Sequence, residues 1–420
     1  MVQDLSVTHE DKDGKRSDPE TLKIAVWHNL PAGGGKRALF YHVKGLVERG
    51  HSVEVWRPPT ADQAFLPLSQ LVPEHVVPLD WDANKRRSPI ARAREVVDML
   101  RAMEQHCQQC AEEIKRGGFD ILFANSCALL RVPLLARYVT LPTVLYLAEP
   151  YRTLYEALPR LPWAALPWPS HVKDLLKDVV RVQGLRIQVR EEAHNAAAFD
   201  RILTNSFFSR ESILRAYGLD AQVCYLGVDT TLFVDQNKPR EDFVIGVGAF
   251  APEKNIEAVM EAVSALPLPR PRLVWVGQTV NRRYLDAMQA LARARGVVFD
   301  PRIKASDGEL VDLLNRACMM VYAPHLEPFG LAPLEANACG TPVVAVAEGG
   351  VRETVVDGSN GLLVEHARAL PAAVGRLLSD RAYAAQLGQN GRRLVNEQWS
   401  LAAAVERLQR KLLEVCNHPL

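Results

Sequence analysis

The chain has no apolar run of the roughly 18 residues that a membrane-spanning helix needs. It also has no surplus of either charge, and its cysteines are few and scattered. Each lack removes a class of protein. With 50 Lys and Arg against 49 Asp and Glu, the formal net charge is +1, so no overall field draws the molecule to nucleic acid or to an anionic membrane. Seven cysteines, an odd number, suit reduced thiols in a cytoplasmic protein better than a disulfide framework. Only Cys107 and Cys110 form a C-x-x-C, and no second pair stands at zinc-ribbon spacing. They fall in a charged helical stretch from about Pro89 to Arg116 and read as two residues on one helix flank, with a metal or redox pair as the alternative. The first twenty residues are polar and lack an apolar signal core, so we expect a disordered tail and no export.

What remains is a chain of 420 residues, 48% hydrophobic and 24% charged, the composition of a soluble globular protein of two or three domains. Short apolar runs alternate with helical patterns. Leu22–Trp27 reads as a buried strand, and Leu39, Val43, Leu46 and Val47 then mark one helix face. Strands are expected at Ser52–Trp56, Phe119–Ala124, Thr143–Leu147 and Arg201–Asn205. The pattern restarts near Phe243, with strands at Phe243–Gly248, Arg272–Val276, Val297–Phe299, Met319–Ala323, Pro342–Val346 and Gly361–Val364. Strand-helix alternation predicts α/β architecture with two doubly wound, Rossmann-like parallel sheets. Polar residues Gln236–Glu241 mark the boundary region. We expect a tail over 1–20, an N-terminal domain over 21–235 and a C-terminal domain over 236–396. Leu401, Val405, Leu408, Leu412 and Val415 make an amphipathic face on a last segment, 397–420.

Leu158–Pro169 holds four prolines and two tryptophans, Trp163 and Trp168. It suits neither a helix interior nor a central strand. It reads as a long excursion whose tryptophans either pack on their own domain or meet an acceptor or membrane surface. Lys173, Lys177, Arg181, Arg186 and Arg190 follow it.

Gly33-Gly34-Gly35-Lys36 follows a strand and opens a helix. Backbone amides at such a turn favour phosphate. It is not a Walker loop, because Arg37 stands where a magnesium-binding Ser or Thr is needed. Phosphate contact, a dinucleotide site and a plain tight turn all fit it. The second half carries more. Glu327 follows a strand, at the edge where open α/β sheets bind ligands. Phe329-Gly330-Leu331 leads into a helix expected from about Pro333, whose amides can hold a diphosphate. Glu335, near its first turn, can accept bonds from two ribose hydroxyls. Glu348-Gly349-Gly350 adds a second turn at the same edge, and Lys254 adds a cation. Two carboxylates, two amide-rich turns and a lysine fit a sugar nucleotide.

The stretch EPFGLAPLEANACGTPVVAVAEGGVRETVVDGSNGLLV resembles the hallmark segment of retaining GT-B glycosyltransferases of family four, with its E-x7-E motif. GGGKRALFYHVKGLVERGHSVEVW is similar to that family's opening glycine loop, FDRILTNSFFSRESILRAYGL and VCYLGVDTTLF to its interdomain approach, and VGAFAPEKNIE to its phosphate-binding strand end. The resemblance implies two domains facing across a cleft, with a last helix crossing back to the N-terminal one. It implies a donor site of Gly34, Gly35, Lys254, Gly277, Glu327, Phe329, Gly330, Leu331 and Glu335. Lys254, Glu327 and Glu149 become the catalytic candidates, and Glu149, Arg152, Trp163 and Trp168 the acceptor region.

By that resemblance the chain moves a hexose from a UDP- or GDP-sugar to a hydroxyl of a glycan or lipid-linked acceptor, with no metal or other cofactor. Its place would be the cytoplasm, with at most peripheral contact with the inner face of a membrane, and no nucleic acid would be a partner. The triplet Asp11-Lys12-Asp13 is only a look-alike of a metal motif. Two positions depart from the family. Ala249 replaces the arginine that accompanies the lysine, for which Arg302 or Arg352 could compensate. Ala148 replaces a histidine, with Glu149 or His28 as substitutes. These departures leave room for a nucleotide-sugar-binding subunit without activity. A dinucleotide oxidoreductase would leave Glu327 and Glu335 idle.

Overall fold

A computed structural model describes residues 21–82, 89–152 and 170–417. The tail with Asp11-Lys12-Asp13, the Pro-Trp segment with Trp163 and Trp168, and the side chains of Lys173, Lys177 and Arg181 lie outside the described residues.

Two all-parallel sheets organise the chain. The first has seven strands: β1 (Lys23–Asn29), β2 (Ser52–Arg57), β3 (Glu74–Val76), β4 (Ile121–Cys127), β5 (Thr143–Tyr146), β6 (Arg201–Thr204) and β7 (Gln222–Val223), in the order β3-β2-β1-β4-β5-β6-β7. The second has six: β8 (Glu241–Val247), β9 (Arg272–Gly277), β10 (Phe299–Ile303), β11 (Ala317–Tyr322), β12 (Val343–Val346) and β13 (Gly361–Val364), in the order β10-β9-β8-β11-β12-β13. Central strands such as β1 and β11 are buried along nearly their whole length, as expected where helices cover both faces of a parallel sheet.

The helices are α1 (Gly34–Glu48), α2 (Pro89–Gly117), α3 (Ser170–Ala197), α4 (Phe207–Tyr217), α5 (Ile256–Ser264), α6 (Arg282–Arg295), α7 (Asp307–Arg316), α8 (Leu331–Ala338), α9 (Val351–Thr354), α10 (Leu370–Ser379), α11 (Arg381–Gln398) and α12 (Leu401–Asn417). None of the helices among the described residues is long and apolar enough to cross a membrane.

Strands β3 and β7 were not expected from the sequence, and β10 begins two residues later than expected. All three are edge strands. An edge strand has one unpaired side and needs no continuous apolar run, so hydrophobic patterning misses it.

The two sheets are joined by one hydrophobic cluster. It runs from Val26 and Leu46 through Val228 and Phe233 to Phe329, Leu334, Trp399 and Leu412. Helix α12 turns Val405, Leu408 and Leu412 inward and reaches α1, where Arg49 donates to Gln409 at 2.9 Å. Polar bonds tie the units as well. Glu353 accepts from the amides of Phe207 and Phe208 at 2.9 and 3.0 Å and from the Tyr225 hydroxyl at 2.9 Å. A carboxylate of the second unit thus satisfies the open first turn of α4 in the first unit, beside its N-cap Ser206.

In each sheet the winding reverses beside the first strand, between β1 and β4 and between β8 and β11. Crevices beyond the carboxyl ends of strands at such reversals bind ligands. The glycine loop leaves β1, Lys254 follows β8, and Glu327 follows β11.

Candidate active site

Strand β11 delivers the chain into Ala323–Gly330. Glu327 there accepts a bond from Lys254 Nζ at 2.7 Å, and its side chain is only 14% exposed. Burial acts to raise the Glu327 carboxyl. Lys254, Arg152 and the Tyr322 hydroxyl outweigh it and hold the group below its usual range. Tyr322, the last residue of β11, is itself pushed far up by burial and then by Glu327 and Glu335. Its hydroxyl therefore lies within the field of both glutamates.

Helix α8 starts at Leu331, two residues earlier than expected, after Gly330 at φ 99°. That left-handed backbone favours glycine. The early start puts Glu335 at the fifth helical position, not in the first turn, so the helix dipole does little for it. The first amides of this helix, at Leu331 and Ala332, have no side-chain cap. Glu335 is 6% exposed. Burial pushes its carboxyl up, Arg37 pulls it down and Asp307 pushes it up again. Arg37 Nε stands 3.9 Å away, too far for a hydrogen bond, and no hydrogen bond reaches this carboxylate among the described residues.

Across the cleft, α1 begins at Gly34 with no side-chain cap, and Gly34 and Gly35 are exposed. The first amide of this turn to bond within the helix is that of Arg37, to Gly33 at 3.0 Å. The amides before it are open, as anion binding requires. Below them Lys36 is fully buried, with Nζ 3.4 Å from His28 Nε2. Burial first, then Arg57, lowers Lys36 to about 8, against the pull of Glu74 and Asp62. His28 is held well below its usual value by burial and then by Lys36 and Arg57. A wholly buried His28 offers nothing to a substrate, so it does not stand in for the histidine replaced at Ala148.

Arg152 and Glu149 lie together but face the other unit. Glu149 Oε2 accepts from Arg152 Nε at 2.5 Å, and Arg152 donates to the carbonyls of Leu326 and, at 2.9 Å, His325. Ser206 donates to the Pro328 carbonyl at 2.5 Å. The first unit thus grips the backbone on both sides of Glu327. The Glu348–Gly350 turn works in the same way. Leu326 N donates to Glu348 at 2.8 Å and Gly350 N to the Glu327 carbonyl at 2.7 Å, so the Gly350 amide is already bonded within the protein. Gly277 lies buried at the end of β9, directly against the Gly248 carbonyl. Phe329 is buried between Tyr225 and Trp399, with ring centroids at 6.1 and 5.6 Å.

Of the arginines that could replace the one absent at Ala249, Arg302 forks onto Asp300 at 2.8 and 2.9 Å. Arg352 donates to Gly349 O at 3.1 Å from an exposed position. The cation set most deeply beside the glutamates is Arg37, which the sequence had marked only as a residue unsuited to a Walker loop. Its partner Asp307 is the first residue of α7, next to the N-cap Ser306. Cys107 and Cys110 are buried in the core beneath the first sheet, and Cys110 meets His106, which accepts from Trp27.

The profile of Glycosyltransferase Family 4 matches residues 32–232, and that of Glycosyl transferases group 1 matches residues 228–394. The fold is GT-B. In Anabaena HepE in complex with UDP and glucose it recurs with a TM-score of 0.70 at 19% identity, over 94% of this chain and 100% of that one. The chain belongs to the group 1, family 4 glycosyltransferases. A D-inositol 3-phosphate glycosyltransferase of Acidothermus cellulolyticus is 35% identical over 214 residues, 44% of this chain and 47% of that protein. A GDP-mannose-dependent alpha-(1-6)-phosphatidylinositol monomannoside mannosyltransferase of Mycolicibacterium smegmatis is 31% identical over 229 residues, 48% of this chain and 59% of that protein. The chain spans about half the length of the curated relatives it matches.

Proposed function

We propose that this chain is a retaining glycosyltransferase that moves a hexose from a UDP- or GDP-sugar to a hydroxyl of a glycan or lipid-linked acceptor. The observation that carries the reading is Glu335. A buried carboxylate without a hydrogen-bond donor is costly to leave unmade, and a ribose supplies two hydroxyl donors at the spacing of its two oxygens. The rest of the cleft suits the other parts of a sugar nucleotide. The open amides of Gly34 and Gly35 at one helix start and the uncapped amides of Leu331 and Ala332 at another each suit the phosphates of a diphosphate.

The glycosidic bond breaks toward the β-phosphate, so negative charge grows on the leaving nucleoside diphosphate and positive charge on the anomeric carbon. Lys254 and the amides meet the first and Glu327 the second. In this reading no metal is needed. Glu149 and Arg152 hold the Glu327 loop and in this reading border the acceptor side. GDP-mannose and UDP appear in the names of the relatives above, and they motivate the two donors proposed.

The test is calorimetric titration with UDP, GDP and ADP, followed by donor turnover with and without acceptor sugars and polyprenyl- or inositol-lipid acceptors. Tight binding of one nucleoside diphosphate, with turnover of its sugar, supports the reading. Binding without turnover turns it into a nucleotide-sugar-binding subunit. Binding of none of the three, with binding of a nicotinamide dinucleotide, overturns it.

A further inference from the structure

Arg37 is carried by α1 of the first unit, yet its guanidinium is committed to the second. Nη1 and Nη2 fork onto the two oxygens of Asp307 at 3.1 and 2.5 Å. This leaves the Nε edge turned to Glu335 Oε1 at 3.9 Å. The side chain is 10% exposed and runs between the rings of Phe65 and Phe233, at 5.4 and 5.9 Å. We propose that Arg37 is the positioning residue of the ribose site. Fixed by Asp307, it supplies from across the cleft the counter-charge of Glu335, so that ribose is bound in full only when the two domains are together. This rests on the reading of Glu335 as the ribose acceptor and goes beyond it.

Three observations support it. Glu335 is too buried to be charged alone, and Arg37 is the one group among its resolved influences that favours the ionised form. Burial works against the charge of Arg37 too, but Glu335 and then Asp307 outweigh it and raise the group above its ordinary value. Around the cluster, Tyr41 is influenced by Arg37, Asp229 and Asp307, while Tyr322 and Cys339 of the second unit feel Glu335 together with Arg152 and Arg240 respectively; on Glu335 itself Arg37 is the one resolved cation. Finally, the ion pair with Glu335 is longer than a hydrogen bond, so both carboxylate oxygens stay free to accept while the charge is compensated. An arginine is required. Its planar fork holds Asp307 through two nitrogens and still presents a third edge, whereas a lysine has one point charge and cannot serve both carboxylates in fixed geometry.

The experiment compares the best-binding nucleoside diphosphate of UDP, GDP and ADP with its 2′,3′-dideoxy form, in wild type, Arg37→Met, Arg37→Lys, Asp307→Asn and Glu335→Gln. The wild type is expected to prefer the ribo form by about tenfold, the scale of lost hydrogen bonds to a charged acceptor. Arg37→Met and Asp307→Asn should bring that ratio close to one, as Glu335→Gln does, with Arg37→Lys between. Melting temperature identifies any variant that fails to fold, and Asp307→Asn then carries the test without touching Arg37. An unchanged ratio in Arg37→Met, with both ligands weakened equally, overturns the proposal and leaves the reading of Glu335 standing. A wild type without ribo preference overturns both.

Discussion

Lys254 Nζ and Glu327 Oε2 are 2.7 Å apart, 73 residues distant in the chain and joined across the ends of β8 and β11. Each is partly buried, so neither can be removed without leaving the other's charge poorly compensated. With alanine at position 249, Lys254 is the cation that the proposed reading sets against the leaving group on this side. Lys254→Ala is expected to lose on the order of 2–4 kcal/mol of transition-state stabilisation. Steady-state kcat/KM with the cognate donor measures it. Turnover near wild type would remove Lys254 from the chemistry.

The two glutamates are expected to fail differently. In the proposed reading Glu335 contacts a part of the donor that does not change during reaction, and loss of such uniform binding raises KM more than it lowers kcat. Glu335→Gln should weaken nucleoside diphosphate binding by roughly tenfold, about 1.4 kcal/mol. Glu327→Gln should lower kcat and leave that affinity nearly intact, because its charge matters most as the anomeric carbon becomes positive. Titration and kinetics on both variants decide. The opposite pattern would exchange the two roles.

Gly349 supports the backbone of Glu327. It sits at φ 65°, and a Cβ there would come within 2.3 Å of the Glu327 carbonyl oxygen and 2.8 Å of its nitrogen. Gly349→Ala adds left-handed strain of roughly 1–2 kcal/mol and pushes the Glu327 loop aside. Turnover should fall at least tenfold, with a smaller loss of nucleotide affinity and a lower melting temperature. A drop in stability alone, with kcat per folded molecule unchanged, would show that the loop accommodates the methyl group.

His42 predicts an acid sensitivity far from the cleft. Burial and then Arg407 lower it from 6.5 to about 4, and neither ring nitrogen has a hydrogen-bond partner. It lies on α1 against Tyr146 and Phe123, and Arg407 comes from α12. The unfolded chain takes up this proton near pH 6.5 and the folded chain only near 4. Stability is therefore intact above about pH 6.5 and falls as pH drops toward 4, by roughly 3 kcal/mol at about 1.4 kcal/mol per unit. Urea melts at pH 7.5 and 5.0 should show a smaller difference in His42→Leu than in wild type. Equal differences would place the acid sensitivity elsewhere.

Much of the architecture was legible in the chain because it is encoded locally. Buried parallel strands announce themselves as apolar runs, and the spacing between Glu327 and Glu335 places both on one strand-loop-helix unit. The strands read from the apolar pattern lie within a residue or two of those observed, except at the edges and at β4, which ends at Cys127, three residues beyond the expected Ala124. The chemistry of that unit was less legible. The helix start at Leu331 depends on Gly330 adopting a left-handed turn, which places Glu335 beyond the first turn, where burial and Arg37 rather than the helix dipole set its state.

What only the tertiary structure decided are relationships between residues far apart in sequence. Arg37 and Asp307 are 270 residues apart, and Arg152 and Leu326 are 174. No periodicity or spacing carries such a distance. Composition likewise could not distinguish a reactive group from a core one. His28, Cys107 and Cys110 are chemistry-bearing residue types that packing encloses, whereas Arg37, unremarkable in sequence, is brought to the most deeply buried carboxylate of the cleft. The physical reason is that burial and the electrostatic field are properties of the assembled domains. They arise when the two sheets are joined by their common core, and a linear sequence specifies them only through that joining.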